Sequence, residues 1–320
     1  MSDKKQISLQ NVPLYESVLL IIYLCVGFIQ NFQAIDKVAP QWLFIGILNF
    51  LSGIFILRNK IFFDERLSAY FKSWITILYA LFILWAGLSF FYAINPTEVI
   101  VNFTRQFNVF FMYCNMIILL SSVKNKLKFF SLVFTLILSI EVYFIFYQAF
   151  EMLDNSGVIN SGNLKGVTAN RNIAAFSIAL KIPFVLGWIL KSNTKITKIL
   201  GLIIITLAIT ALSMIQSRAS YLAIGLIVFM FPVIPFFFFK KEKIINKLKT
   251  LLFVFLPLFL SISINQAFFA SKGANAVSRA STISLSTNDG SVNQRLRYYN
   301  HVFNHLKLNP LFGVGFGNWK

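Results

Sequence analysis

Continuous apolar runs of about 20 residues recur along this chain, and no other feature limits its fold so tightly. A run of that length spans the hydrocarbon core of a bilayer as a helix. The runs do not alternate apolar with polar residues, so they are not barrel strands, and lipid admits only helices or closed barrels. Charged residues make up 12% of the 320-residue chain, about half the share of a soluble domain, and Phe alone contributes 37 residues. The expected fold class is therefore all-α: a polytopic transmembrane helical bundle.

Nine spans are expected, at about 14–33, 41–57, 73–93, 103–122, 127–150, 173–190, 197–215, 219–239 and 250–268. The opening residues, Met1 to Pro13, are short and polar, and no A-x-A-like exit follows the first span. It reads as a permanent helix rather than a cleaved signal. Seventeen Lys and Arg residues fall in the N-terminus and in the connections after spans two, four, six and eight. The other short connections hold four: Lys37, Lys165, Arg171 and Arg218. Basic residues collect on the cytoplasmic side, so the N-terminus is expected in the cytoplasm and the alternate loops outside. The net charge of +18 then orients helices and does not call for nucleic acid. On this reading residues 1–268 form the transmembrane domain. Residues 269–320 begin an outer segment that carries an amphipathic helix, and Ala270 to Gly290 forms a loose Ser/Asn/Gly-rich connection. Cys25 and Cys114 both lie in apolar spans and read as small core residues.

Cations stand out on the outer side. From Ile199 to Phe239 the chain is apolar apart from Gln216-Ser217-Arg218, which suits two spans joined by a tight outer turn. Arg218 then sits at the outer membrane boundary with no acid near it in sequence. It either snorkels to lipid headgroups or waits for an anionic substrate. In QRLRYY the helical repeat puts Arg295, Tyr299, Val302 and Leu306 within about 60° of one another, with Arg297 on the opposite side. Arg295 is thus expected on a packing face and Arg297 in water. A guanidinium on a packing face either covers an apolar seam with its stem or grips an anion such as phosphate, two oxygens at a time. Gly313, Gly315 and Gly317 follow Asn309-Pro310. They lack the strand, helix and spacing of a dinucleotide fingerprint, and suit a backbone that approaches a substrate or the membrane surface closely. In GVTANRN, Asn170 and Asn172 flank Arg171 before span six. They can cap a helix or hydrogen-bond sugar hydroxyls.

The acids are sparse. Asp36, Glu98, Glu151, Asp154 and Asp289 are the outer ones and form no paired cluster, which argues against a carboxylate-built divalent-metal site. Glu141 and Lys181 lie well inside spans, where packing and proton relay are both open readings. His301 and His305 read as surface residues of the amphipathic helix.

GVTANRN before a span, SRAS at an outer turn, then QRLRYY and NPLFGVGFGNW occur in an order that resembles the O-antigen ligase family over about residues 70–320. The resemblance implies an envelope enzyme, related to O-antigen polymerases and protein O-oligosaccharyltransferases, acting at the periplasmic face of the bacterial inner membrane. It would move a glycan from an undecaprenyl-diphosphate carrier to a hydroxyl acceptor: lipid A core, a growing glycan or a protein. The resemblance implies no cofactor or metal. Arg218 corresponds to the family's turn arginine and Arg295 to its loop arginine, both holding the diphosphate. Asn170, Arg171, Asn172, Arg297, Tyr299, Gly313 and Gly315 are candidate substrate contacts. The family's histidine and later spans would follow the glycine motif, so the chain is expected to be a C-terminally truncated member. Two rivals remain, a lipid-glycan flippase or transporter and a non-catalytic lipid-binding envelope protein. Transport would need ionisable residues deep in several spans.

Overall fold

The computed structural model describes residues 12–29, 32–36, 38–59, 63, 67–68, 70–237, 244–277, 290–310 and 312–319. Among them the chain is helical with no strand. The helices are α1 (Val12–Leu24), α2 (Ala39–Arg58), α3 (Trp74–Leu88), α4 (Pro96–Ser121), α5 (Lys126–Ser156), α6 (Arg171–Lys191), α7 (Lys195–Ile215), α8 (Arg218–Phe237), α9 (Ile244–Ile264) and α10 (Gly290–Leu308). Lys4, Lys5, Lys37, Lys60, Arg66, Lys240, Lys241 and Lys243, which carry part of the orientation argument, lie outside the described residues, as does 278–289 of the expected loose connection.

Helix boundaries follow local chemistry. Asn95, Asn125, Thr194 and Asn170 each turn a side-chain oxygen to a backbone N–H of the first turn, capping α4, α5, α7 and α6. Gly157 ends α5 in the left-handed region, and Gln216 ends α7 in the same way at φ +55°.

Among the described residues, six helical segments are long and apolar enough to cross a membrane: Ala39–Arg58, Trp74–Phe91, Lys126–Ser156, Arg171–Lys191, Lys195–Ile215 and Leu248–Lys272. This identifies a multi-pass membrane protein and gives a smaller count than the nine spans expected. The difference has identifiable causes. α1 and α8 are counted only over the residues whose side chains are described, Leu14–Leu24 and Arg218–Val233, which are shorter than a span. α4 is absent from the six because it carries Asn102, Thr104, Arg105, Gln106, Asn108 and Asn115.

Contacts divide the helices into two units, Met1–Lys124 with Leu285–Lys320, and Asn125–Ser284. This division follows packing, whereas the boundary expected at 268/269 concerns membrane topology.

In the first unit the polar residues of α4 join helices. Asn49 of α2 donates from Nδ2 to the carbonyl and Oδ1 of Asn108, and its own Oδ1 accepts from the Tyr23 hydroxyl of α1 at 2.8 Å. Asn115 donates to the Asn49 carbonyl at 3.1 Å and to the Tyr23 oxygen at 3.2 Å. Side-chain amides that bond across helices hold a bundle together where lipid supplies no hydrophobic drive.

The second unit is built around α7. Ala208, Ala211, Leu212, Met214 and Ile215 of α7 are fully buried against α5, α6, α8 and α9. A Cβ on Gly201 would stand 2.4 Å from Ile189, so glycine sets the close approach of α6 and α7. The two ionisable residues expected deep in spans form one pair. Lys181 Nζ donates to both carboxylate oxygens of Glu141, at 2.9 and 3.0 Å, and to Ser177 Oγ at 2.6 Å. Ser177 in turn donates to Glu141. The pair joins α5 to α6, and both side chains are about nine-tenths buried.

Candidate functional site

One end of the second unit gathers two of the sequence motifs. Gln148, in the penultimate stretch of α5, accepts from the Lys165 and Gly166 N–H groups through Oε1 and donates to the Gly166 carbonyl at 2.9 Å. Three bonds from one side chain fix the start of GVTANRN. Gly166 sits at φ +57° with Ile145 against its Cα, a conformation and a space that suit glycine. A cavity of about 10 Å³, lined by Gly166, Thr168 and Glu141, lies beneath. Thr168 Oγ1 then bridges the Lys165 and Asn170 carbonyls, and Asn170 caps α6 through a 2.8 Å bond from Asn172 N–H.

The second motif meets the first at Asn172. Its Oδ1 accepts from Ser217 Oγ at 3.0 Å. Ser217 is buried and stands between the left-handed Gln216 and Arg218, the first residue of α8. Its carbonyl accepts from the Ser220 and Tyr221 N–H groups, so the backbone starts α8 while the hydroxyl reaches across to α6. Gln216 Nε2 faces the Gly273 and Asn275 carbonyls at 3.4 and 3.3 Å. The wholly buried Asn265 ties down the Ala274 carbonyl and the Ala276 N–H. Residues 270–277, expected to be part of a loose connection, are therefore held.

Arg171 and Arg218 are both half-buried and each opens a helix. Arg171 Nη1 lies 3.5 Å from Ser161 Oγ. Lys165 and Lys272 are exposed at the same end, where the Ile159 N–H donates to the Lys272 carbonyl at 2.7 Å. Two guanidinium and two ammonium groups share this end with the exposed Glu151 and Asp154 carboxylates at the close of α5, so cations outnumber acids here. The N-terminal ends of α6 and α8 stand beside the C-terminal ends of α5 and α7.

The remaining predicted residues belong to the first unit. Arg295, Arg297 and Tyr299 are all exposed on α10. The stripe expected to pack is uncovered along most of its length: Tyr299 and Leu306 are 57% and 41% exposed. Only Val302 and His305 are half-buried. The structure therefore does not separate Arg295 from Arg297 by burial. His305 departs from the surface reading. Its ring lies 6.1 Å from that of Trp319, and its Nε2 is shielded with no hydrogen bond among the described residues.

Gly313, Gly315 and Gly317 have φ of +61°, +93° and +74°. A Cβ on Gly315 would stand 2.4 Å from Ala93 Cβ, and one on Gly317 2.2 Å from Asn102 Nδ2. Backbone bonds accompany this approach. Ile94 N–H donates to the Val314 carbonyl, Phe316 N–H to Ser89 Oγ at 2.9 Å, and Asn95 N–H to Asn318 Oδ1 at 2.6 Å. Phe312 stacks on Trp85, and Phe316 meets Phe82 edge-on. The glycine segment is thus docked on the connection between α3 and α4.

Sequence reading missed Gln148 and Gln216, amides at the ends of apolar helices. It also missed Arg105, which pairs with Asp36; an arginine inside the fourth expected span, with an acid in the connection between the first two, was the available signal. Among the described residues, His, Cys, Asp and Glu side chains form no group of three or more placed to hold a metal.

The helices define a multi-pass membrane protein. Residues 201–320 match the family model for O-antigen ligase, which supports an O-antigen ligase family for this chain. The match takes in SRAS, QRLRYY and the glycine motif but not GVTANRN, and is narrower than the resemblance read from about residue 70. No curated protein and no solved structure matches the chain.

Proposed function

We propose that this protein is a membrane glycan transferase of the O-antigen ligase type. It takes a glycan from an undecaprenyl-diphosphate carrier at the periplasmic face of the bacterial inner membrane. The acceptor is a hydroxyl on lipid A core, a growing glycan or a protein. The observation that carries this reading is the Asn172–Ser217 bond, which brings the GVTANRN motif to the turn bearing Arg218.

Negative charge grows on the lipid diphosphate as the glycosyl bond breaks. Cations already fixed in a site of low dielectric stabilise that charge without reorganising. Arg218, with Arg171 beside the Asn170 cap, supplies fixed cations from the second unit. By its match to the family's loop arginine Arg295 is a further candidate to hold the diphosphate, with Arg297, Tyr299, Gly313 and Gly315 as candidate substrate contacts. Asn170 and Asn172 keep amide groups for sugar hydroxyls. Glu141 and Lys181 neutralise each other in the second unit, whereas transport would call for uncompensated ionisable residues deep in several spans.

The test is transfer of radiolabelled glycan from carrier to acceptor by the natural full-length protein. Arg218→Ala and Arg295→Ala are expected to abolish transfer, losing about 100-fold or more as a lost oxyanion-stabilising donor does. Arg297→Ala is expected to be mild. Equal losses from all three would remove the distinction between the two loop arginines. Full activity of Arg218→Ala would sink the proposal.

A further inference from the structure

The other end of the second unit carries a cavity that glycan transfer does not use. It has a volume of about 490 Å³ and lies between the start of α5 and the α6–α7 connection. Its wall includes Lys128, Lys191, Trp188, Ser131, Thr194 and Gly187. The segments that build it, 121–132 and 187–200, hold Lys124, Lys126, Lys128, Lys191, Lys195 and Lys198 and no acid. Both lysines of the wall are exposed, and no ion pair of either occurs among the described residues.

We propose that this cavity binds the phosphate of an anionic phospholipid headgroup. Orientation of helices by positive charge requires lysines in these connections, but it does not require a cavity between them. Here Lys128 and Lys191 face one space from two different helices, with hydroxyls and an indole on its wall. Two helices also open there, α5 capped by Asn125 and α7 by Thr194. In each, the cap takes one N–H and leaves the earlier first-turn donors without a helical acceptor. These donors add to the lysines; the cavity and its paired ammonium groups define the site.

A lipid fits better than a soluble phosphate because the cavity has an apolar flank. Leu127 lines it and is 44% exposed, and the neighbouring Ile196 is 72% exposed. These residues offer a surface along which acyl chains can run while the headgroup sits inside. Trp188 provides the amphipathic ring that prefers the membrane–water boundary. The connections that form the cavity are those expected to face the cytoplasm, where anionic lipid is enriched and basic pockets between helices take headgroups.

The test is a titration of the detergent-solubilised chain with phosphatidylglycerol, phosphatidylcholine and inorganic phosphate, reading thermal stability. Phosphatidylglycerol is expected to raise Tm saturably, and the other two to leave it nearly unchanged. Lys128→Gln with Lys191→Gln should weaken the half-saturation point by roughly tenfold or more, from two lost phosphate contacts. Lys195→Gln with Lys198→Gln removes the same charge outside the wall and should shift it by less than about threefold. Gly187→Leu serves as a charge-neutral check. The space at Gly187 is open, with no neighbouring atom within 4 Å of an added Cβ, and leucine favours a helix, so the variant folds and narrows the cavity. It should weaken the saturable response. Equal weakening by the two lysine pairs, or a normal response from Gly187→Leu, would overturn the site. Stabilisation by inorganic phosphate equal to that by phosphatidylglycerol would overturn the assignment to lipid.

Discussion

The two units glue their helices with different polar chemistry. In the buried part of the first unit it is neutral amides and a phenol, Asn49, Asn108, Asn115 and Tyr23, that share hydrogen bonds among α1, α2 and α4. The Arg105–Asp36 ion pair of that unit is partly exposed. The second uses a charge pair, Glu141 with Lys181, seated on Ser177. A neutral network that loses one member leaves dipoles that can turn to other partners. A buried ion pair that loses one member leaves a net charge with no solvent to receive it. The buried Glu141–Lys181 pair is therefore more sensitive to the loss of one member than the amide network of Asn49, Asn108 and Asn115. Their sequence motifs differ in a parallel way. In the second unit side-chain bonds from Gln148 and Asn172 hold the motif, whereas in the first the backbone of the glycine segment is wedged against Ala93 and Asn102.

The sharpest test of the contrast removes one charge. Lys181→Met or Glu141→Gln alone is expected to destabilise the protein by about 3–5 kcal/mol, while the double variant recovers most of that loss. Thermal unfolding in detergent measures both. By comparison Asn49→Leu in the first unit should cost only about 1–2 kcal/mol, as interhelical amide bonds in membranes do. A loss at Asn49 as large as that at Lys181 would erase the distinction between neutral and charged glue.

Next in size is the wedge. Gly315→Ala forces a methyl group to within 2.4 Å of Ala93 at φ +93°, with the Ala93 backbone 2.7 Å away. Overpacking against backbone is expected to cost about 1–3 kcal/mol. It should release residues 312–319 to limited proteolysis. Gly313→Ala, with no neighbour within 4 Å, carries only the cost of its positive φ, about 1 kcal/mol. Matching proteolysis of the two variants would mean that docking does not depend on the close approach.

The smallest effect is expected at the junction of the two motifs. Ser217→Ala removes the 3.0 Å bond to Asn172 and should lower stability by about 0.5–1.5 kcal/mol. If the bond positions Arg218, glycan transfer should fall further than the loss of folded protein explains. Measuring transfer per folded molecule separates the two.

The helices were legible because membrane insertion writes itself locally. About 20 apolar residues and a capping Asn or Thr specify a segment without reference to any other, so α2, α3, α5, α6 and α7 fall where expected. α4 was legible as a helix but not in its role. Its amides face Asn49 and Tyr23, and nothing within the segment tells polar residues that face a neighbour from polar residues that face water. Arg295 shows the limit of a helical wheel, which assigns a phase but not what covers it.

Sequence alone determined the class of this protein, a helical membrane chain, because hydrophobic run length and cap chemistry act over a few turns. Tertiary structure decided which polar groups meet: Glu141 with Lys181, Asn172 with Ser217, and Gly315 with Ala93. These partners lie far apart along the chain, and only packing brings their short-range bonds into reach. In an apolar interior, such meetings govern where a polar side chain can be tolerated and what it can do there.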